Sequence, residues 1–164
     1  MSEQFSHEHW MEQALLLASE AAKKGEVPVG AVVVLDNEII GRGSNGPIYG
    51  CDPTAHAEII ALRDAAQRIQ NYRLVDTSIY VTIEPCTMCL GAMVHARVKS
   101  LFYGAPERKS GVVDSNAQLH TADWLNHKLD VSGGYLEERC SQMISEFFAA
   151  RRAAQKAQRL RAKA

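Results

Sequence analysis

The sequence predicts an α/β domain, a mixed five-stranded sheet with helices on both faces, on three observations. Five short apolar or alternating stretches have the length and β-branched content of strands, and helically spaced apolar segments lie among them. Only Asp36-Asn37 separates the first two stretches, so these pair antiparallel, whereas the third and fourth each follow a helix-length segment, the connection that a parallel crossover needs. The chain's 164 residues, 46% hydrophobic and 23% charged, suit one domain with one core. Residues 1–150 form that domain in this reading, and residues 151–164 extend it as a basic helix.

From Ser6, an N-cap type, Trp10, Met11, Ala14, Leu15, Ala18, Ala21 and Ala22 recur at helical spacing until Gly25, a natural residue to follow a helix end. VPVGAVVVL (27–35) reads as a buried strand, Asp36-Asn37 as a tight turn and EIIGRG (38–43) as the antiparallel partner. SNGPIYGCD (44–52) is a loop of turn-formers, and a helix is expected from Thr54 through Ile69. SIYVTI (78–83) is a third strand that Pro85 stops, and CTMCLGAMVHA (86–96) a further helix. SLFYG (100–104) is the fourth strand and KLDVS (128–132) a short fifth, ended by Gly133-Gly134. Between them, residues 104–120 form an irregular loop of a length that usually carries function. From Tyr135, Leu136, Cys140, Met143, Ile144, Phe147 and Phe148 mark a last amphipathic helix that turns basic after Ala150.

Composition narrows the function classes. No apolar run approaches the ~20 residues of a membrane span, and MSEQFSHEHW has neither a basic nor an apolar leader segment, so the expectation is a cytoplasmic protein without membrane attachment. Four cysteines, Cys51, Cys86, Cys89 and Cys140, then point to metal or redox use rather than a disulfide scaffold. The formal net charge is −1, but RRAAQKAQRLRAKA (151–164) holds six of the eighteen Lys and Arg and none of the nineteen Asp and Glu, leaving −7 on the first 150 residues. Such a tail suits nucleic acid; read alone, it is a solvated helix end whose cations complement the macrodipole.

Two segments carry chemistry. HAE (56–58) opens a helix, and PCTMC (85–89) places two cysteines straight after a strand and a proline. Each lies where a strand hands over to a helix, the edge at which open α/β sheets bind ligands. Cys86 and Cys89, three residues apart in a first helical turn, face one way, and the helix N-terminus favours their thiolates. His56 and Glu58 are two apart, so on a regular helix they point to different sides; both serve one ion only if it lies beyond the helix end. That restriction points to zinc held by His56, Cys86 and Cys89, with a fourth position for water and Glu58 free as an acid/base. With two thiolates offsetting the charge of Zn²⁺, a neighbouring base has work to do, and hydrolytic deamination of a ring fits those parts.

HAE followed by PCTMC resembles the H-x-E…P-C-x-x-C signature of the zinc deaminase superfamily, for which these metal and acid/base roles are established. EVPVGAVVV, DPTAHAEIIALR, NYRL, YVTIEPCTMCLGAMVHARV and YGAPERKSG further resemble the bacterial tRNA-specific adenosine deaminase family, from the first helix through Phe147-Phe148. The resemblance implies a three-layer α-β-α fold of the cytidine deaminase type. It also implies one Zn²⁺ per subunit on His56, Cys86 and Cys89, with Glu58 as the catalytic proton shuttle. The activity implied is hydrolysis of adenosine to inosine at the wobble position of a tRNA anticodon stem-loop, by a homodimer. Asn45 contacts the flipped base, Val29 lines its pocket, and Glu107, Lys109, Phe148, Arg151 and Arg152 are further substrate contacts on this reading. Read from the residues alone, Asn45 is turn chemistry beside Gly46-Pro47 and Val29 a core strand residue. The chain departs from the family's Asp-x-Lys-x-Gly-Ala at Glu107-Arg108-Lys109-Ser110-Gly111-Val112, which lengthens the acidic side chain by one methylene. NGPIYGCD is also less basic than the family pattern.

Two other readings compete. The same chemistry suits a free base or nucleoside such as cytosine, cytidine or guanine; the basic tail and Phe147-Phe148 favour RNA, since free bases offer no phosphates. A binding module with structural zinc needs a fourth protein ligand, for which Cys51 is the candidate, and such a site has no use for Glu58. Cys140, Met88, Met93 and Met143 read as core residues, and His7, His9, His95, His120 and His127 have no partners at ligand spacing.

Overall fold

Ser6 caps the first helix, its hydroxyl accepting a hydrogen bond from the His9 amide at 3.1 Å, and α1 runs His7–Lys23. The structure, a computed structural model, describes residues 4–163. Strands β1 (Gly30–Leu35) and β2 (Glu38–Ser44) are joined through Asp36 and Asn37, whose φ of 49° and 63° make the left-handed turn that suits a twisted hairpin. There follow α2 (Pro47–Gly50), α3 (Ala57–Ile69), β3 (Ser78–Ile83), α4 (Thr87–His95), β4 (Ser100–Ala105), a 3₁₀ turn at Leu119–Thr121, β5 (Asp130–Gly133) and α5 (Glu137–Ala162).

The sheet order is β2-β1-β3-β4-β5. β1 pairs antiparallel with both β2 and β3, while β3–β4 and β4–β5 are parallel. The crossover through α3 therefore does join parallel strands, but β1 sits between them. Alternation along β1 splits the core in two. Ala31 and Val33 join the residues of α3 and α4; Val32 and Val34 join Trp10, Met11, Ala14 and Leu15 of α1 and Cys140 of α5. Helices thus cover both faces. No helix among the described residues is long and apolar enough to cross a membrane.

Two glycines set the depth of α3 on the sheet. A Cβ on Gly43 would stand 2.0 Å from the Ala57 carbonyl oxygen and one on Gly41 2.3 Å from that of Ala61, so β2 carries bare backbone where the helix rests. This close contact fixes the start of α3, and with it His56.

Several boundaries differ from the sequence reading, each for a local reason. Val27–Val29 stays outside the ladder, where the Val29 amide bonds to the Val27 carbonyl at 2.8 Å, and β1 begins at Gly30. The helix expected from Thr54 begins at Ala57, because Asp52 accepts from the amide and hydroxyl of Thr54 at 2.8 and 2.7 Å and holds that segment in a turn. Residues 44–52 contain the helical turn α2, started by Pro47 and tied down where the buried carboxylate of Glu26 accepts from the Tyr49 amide at 2.6 Å.

Candidate active site

His56 and Cys86 occupy equivalent places: each is the N-cap of its helix, extended at φ/ψ −72°/151° and −81°/175°, and neither side chain caps the helix it precedes. Cys86 thus precedes the first turn of α4 rather than lying within it. Both side chains are free to turn toward the gap between the two helix starts. Cys89 reaches the same point from the first turn of α4. The His56 Nδ1 lies 3.7 Å from the Cys86 Sγ and 3.5 Å from the Cys89 Sγ. One ligand atom from each residue falls within 4.8 Å of the others, the only such three-residue group among the described residues able to hold a metal ion. The Cys89 thiol and then His56 donate to Cys86 and hold its pKa well below the usual thiol range, as befits a metal ligand. The same partnership with Cys86, followed by burial, pushes Cys89 up, and the bond to Cys86 raises His56.

Glu58 sits in the first turn of α3, 3% exposed, and is not part of the donor group. Burial pushes its carboxyl up to about 7, against the opposing pull of His56. A carboxyl poised near neutrality accepts and returns a proton with little driving force either way. His56, Glu58 and Cys86 open onto a cavity of about 270 Å³ that Val29, Asn45, Glu107 and Phe148 also line. Val29 holds Asn45 in place, its carbonyl accepting the Asn45 amide at 3.0 Å.

Lys109 is elsewhere, lining an adjoining depression with Cys86, Ser110 and Asn116. Arg151 and Arg152 lie on the fully exposed last turns of α5, outside the cavity wall. Glu107 turns its carboxylate to the Lys109 amide at 2.9 Å, closing a local turn. Cys51 is exposed, outside the donor group, with its thiol toward the Ile48 carbonyl at 3.8 Å, so the closed four-ligand site is not built. Cys140 and Met93 are core residues, while Met88 and Met143 are partly buried against the core. Two of the histidines set aside do have partners: His7 Nδ1 meets the Tyr80 hydroxyl at 2.8 Å, and His127 Nε2 the Val98 carbonyl at 2.7 Å.

Sequence reasoning missed Val27, Ile83, Glu84, Ser110 and Ile144, which also line the cavity. Glu84 had one visible signal, a carboxylate ending an otherwise apolar strand just before the Pro-Cys pair. Buried to 2% exposure, it accepts from the amides of Glu107, Val113, Asp114 and Ser115 at 3.0, 3.2, 2.8 and 2.8 Å and from the Ser115 hydroxyl. Burial opposes its ionisation, but the Ser115 hydroxyl and these amides outweigh burial and leave the pKa lowered.

Comparison with known proteins agrees with this geometry. Residues 5–157 match the model of the MafB19-like deaminase family. The chain is 52% identical over 146 residues to the tRNA-specific adenosine deaminase of Haemophilus influenzae, covering 88% of this chain and 84% of that protein. It is 42% identical over 140 residues to the enzyme of the same name from Streptococcus pyogenes serotype M1, covering 85% and 82%. Among solved structures, one from a study of A-to-I editing by tRNA:A34 deaminases at the wobble position of transfer RNA superposes with a TM-score of 0.80 at 41% identity, covering 82% of this chain and 98% of that one. A guanine deaminase from Bacillus subtilis superposes with a TM-score of 0.60 at 43% identity, over 62% and 66%. Paired helix starts that bring two thiols and an imidazole together, with a glutamate beside them outside the donor group, thus belong to a chain of the MafB19-like deaminase family and of the bacterial tRNA-specific adenosine deaminases.

Proposed function

We propose that the protein hydrolyses adenosine to inosine at the wobble position of a tRNA anticodon, with zinc on His56, Cys86 and Cys89. The observation that carries the reaction type is Glu58: a buried carboxylate in the same cavity as the metal donors His56 and Cys86, yet outside the donor group that these form with Cys89. The relatives' shared name carries the substrate. Zinc fits the donor set. Bond lengths of about 2.3 Å to sulfur and about 2.0–2.1 Å to nitrogen at tetrahedral angles put sulfur and nitrogen about 3.6 Å apart, against 3.7 and 3.5 Å in the site. Among the described residues no fourth protein donor joins this group, so a zinc ion held there would have one position left for water.

When bound, the metal supplies Lewis-acid activation of the attacking water. Glu58 takes the proton of that water as its oxygen bonds to C6 of adenine and passes it to N1. It then takes the proton of the hydroxyl now on C6 and delivers it to the exocyclic nitrogen; the C6–N bond breaks, ammonia leaves and the C6 keto group of inosine remains, in keeping with the general roles in zinc deaminases. On this reading Asn45 reads the base edge and Val29 and Phe148 flank the base, which is supported by all three lining the cavity. A site built to hydrogen-bond one base edge rejects bases that leave its polar groups unpaired. Glu107 in the cavity wall and Lys109, Arg151 and Arg152 outside it meet the flanking nucleotides. The homodimer has a suitable face in the apolar groove of about 630 Å³ between α3 and α4, lined by Ile59, Leu62, Ala66, Met88, Ala92 and Ala96.

The test is to incubate zinc-loaded protein with an anticodon stem-loop bearing adenosine at the wobble position, free adenosine, free cytidine, guanine and duplex RNA. Inosine is expected in the stem-loop alone, because a loop base is already partly unstacked. The likeness to guanine deaminase supports the competing free-base reading, and faster turnover of guanine or cytidine than of the stem-loop would establish it.

A further inference from the structure

We propose that Glu84 is a positioning residue for the substrate: its carboxylate fixes the part of the cavity wall that bears Glu107 and Ser110. Glu84 directly follows β3, two residues before the ligand Cys86, and five donors converge on its two oxygens, four backbone amides and one hydroxyl. A carboxylate withdrawn from water must be compensated, and here residues 107–115 supply every partner. The oxygens have no remaining capacity for substrate, so Glu84 acts through the loop it holds. Rearranging that loop would leave a buried carboxylate without donors, a cost that keeps one conformation dominant.

Three neighbouring contacts tighten the arrangement. The Glu84 amide donates to the Ala105 carbonyl at 2.8 Å, and the Val112 amide to the Pro85 carbonyl at 3.2 Å. Gly111 lies so close that an added Cβ would stand 2.3 Å from the Glu84 carboxyl carbon and 2.4 Å from Oε2. The peptide that leads into the metal site therefore also anchors the recognition loop. The loop is a preformed wall and not a closing lid, so RNA binds it without an ordering cost. Loss of the anchor acts on substrate binding and leaves the chemical step intact.

This inference rests on the RNA reading for its kinetic test, but not for its structural one. In the zinc-loaded full-length chain, Glu84→Gln presents an amide to the loop's donors, and Ser115→Ala removes one donor without touching the carboxylate. Trypsin addresses Arg108 and Lys109, both exposed on the anchored loop. Cleavage there is expected to be slow in the parent protein and roughly tenfold faster in Glu84→Gln, the worth of one hydrogen bond to a charged group, with a smaller increase in Ser115→Ala. With the stem-loop as substrate, KM is expected to rise by about the same factor at unchanged kcat and unchanged zinc content. A loop as resistant to trypsin as the parent's in both variants, a fall in kcat at constant KM, or loss of zinc would each overturn the proposal. If Glu84→Gln does not fold, Ser115→Ala decides by the same two readouts.

Discussion

His56 and Glu58 lie two residues apart and do different work because the backbone changes state between them: His56 is extended and Glu58 helical. That division was legible in the sequence, since residues two apart cannot share a helix face. Glu58→Ala is accordingly expected to retain zinc at one ion per chain and lose deamination by ~10²–10⁴, the usual worth of a positioned acid/base; zinc analysis beside an inosine assay checks it. Cys86→Ser removes a ligand and is expected to lose zinc and activity together, whereas Cys51→Ser, outside the donor group, keeps both. Retention of full zinc by Cys86→Ser would dismiss the ligand assignment. Glu84 was not legible to the same degree. Its partners lie 23 to 31 residues later in a loop without periodicity, and nothing local distinguishes an anchoring carboxylate from a solvated one.

At the scale of elements, strands and helices follow from periodicity, while the insertion of β1 between β2 and β3 does not, because hairpin and crossover patterns read alike wherever the hairpin's first strand lies. The turn α2 was hidden for another reason: four residues give no period, and its tether is the buried Glu26 on a different segment. The helix α5 shows what phase adds to composition. Ile144 and Phe148 line the cavity, and at 100° per residue Arg151, Arg152 and Arg159 fall within about 60° of their direction, while Arg161 points about 120° away. The exposed tail thus presents three of its six cations on the cavity's side. Replacing Arg151, Arg152 and Arg159 by alanine is expected to weaken stem-loop binding and flatten its salt dependence by up to ~0.7 log units per lost contact. Arg161→Ala is the control, expected to leave the slope alone. Equal effects per arginine removed, measured by titration at several salt concentrations, would mean that the tail acts only through its net charge.

At the scale of the whole molecule, the cavity draws on the segment before β1, the segment after β2, the start of α3, the end of β3, the N-cap of α4, the long loop and α5. The order and kind of most of these elements could be read from the chain; their convergence could be read only where a motif announced it, at His56-Glu58 and Cys86-Cys89. A metal at ~100 times its dissociation constant adds about 2.7 kcal/mol to the native state, and 1 kcal/mol moves Tm by about 2–4 °C in a domain of this size. Chelation is therefore expected to lower Tm by roughly 5–10 °C, read by calorimetry with and without a zinc chelator, and an unchanged Tm would show that the site holds no metal in the native protein. The paired N-caps give that stabilisation an address. An N-cap side chain ordinarily contributes ~1 kcal/mol to its own helix, and His56 and Cys86 both withhold it. Without metal, these two helix ends are the places where the fold should open first, by local fraying that leaves the sheet untouched. Amide hydrogen exchange should then slow on metal loading at residues 57–60 and 87–90 and stay constant in the second half of α3. The metal would close the two helices that hold it, and the catalytic water would meet a site whose rigidity arrives with the ion.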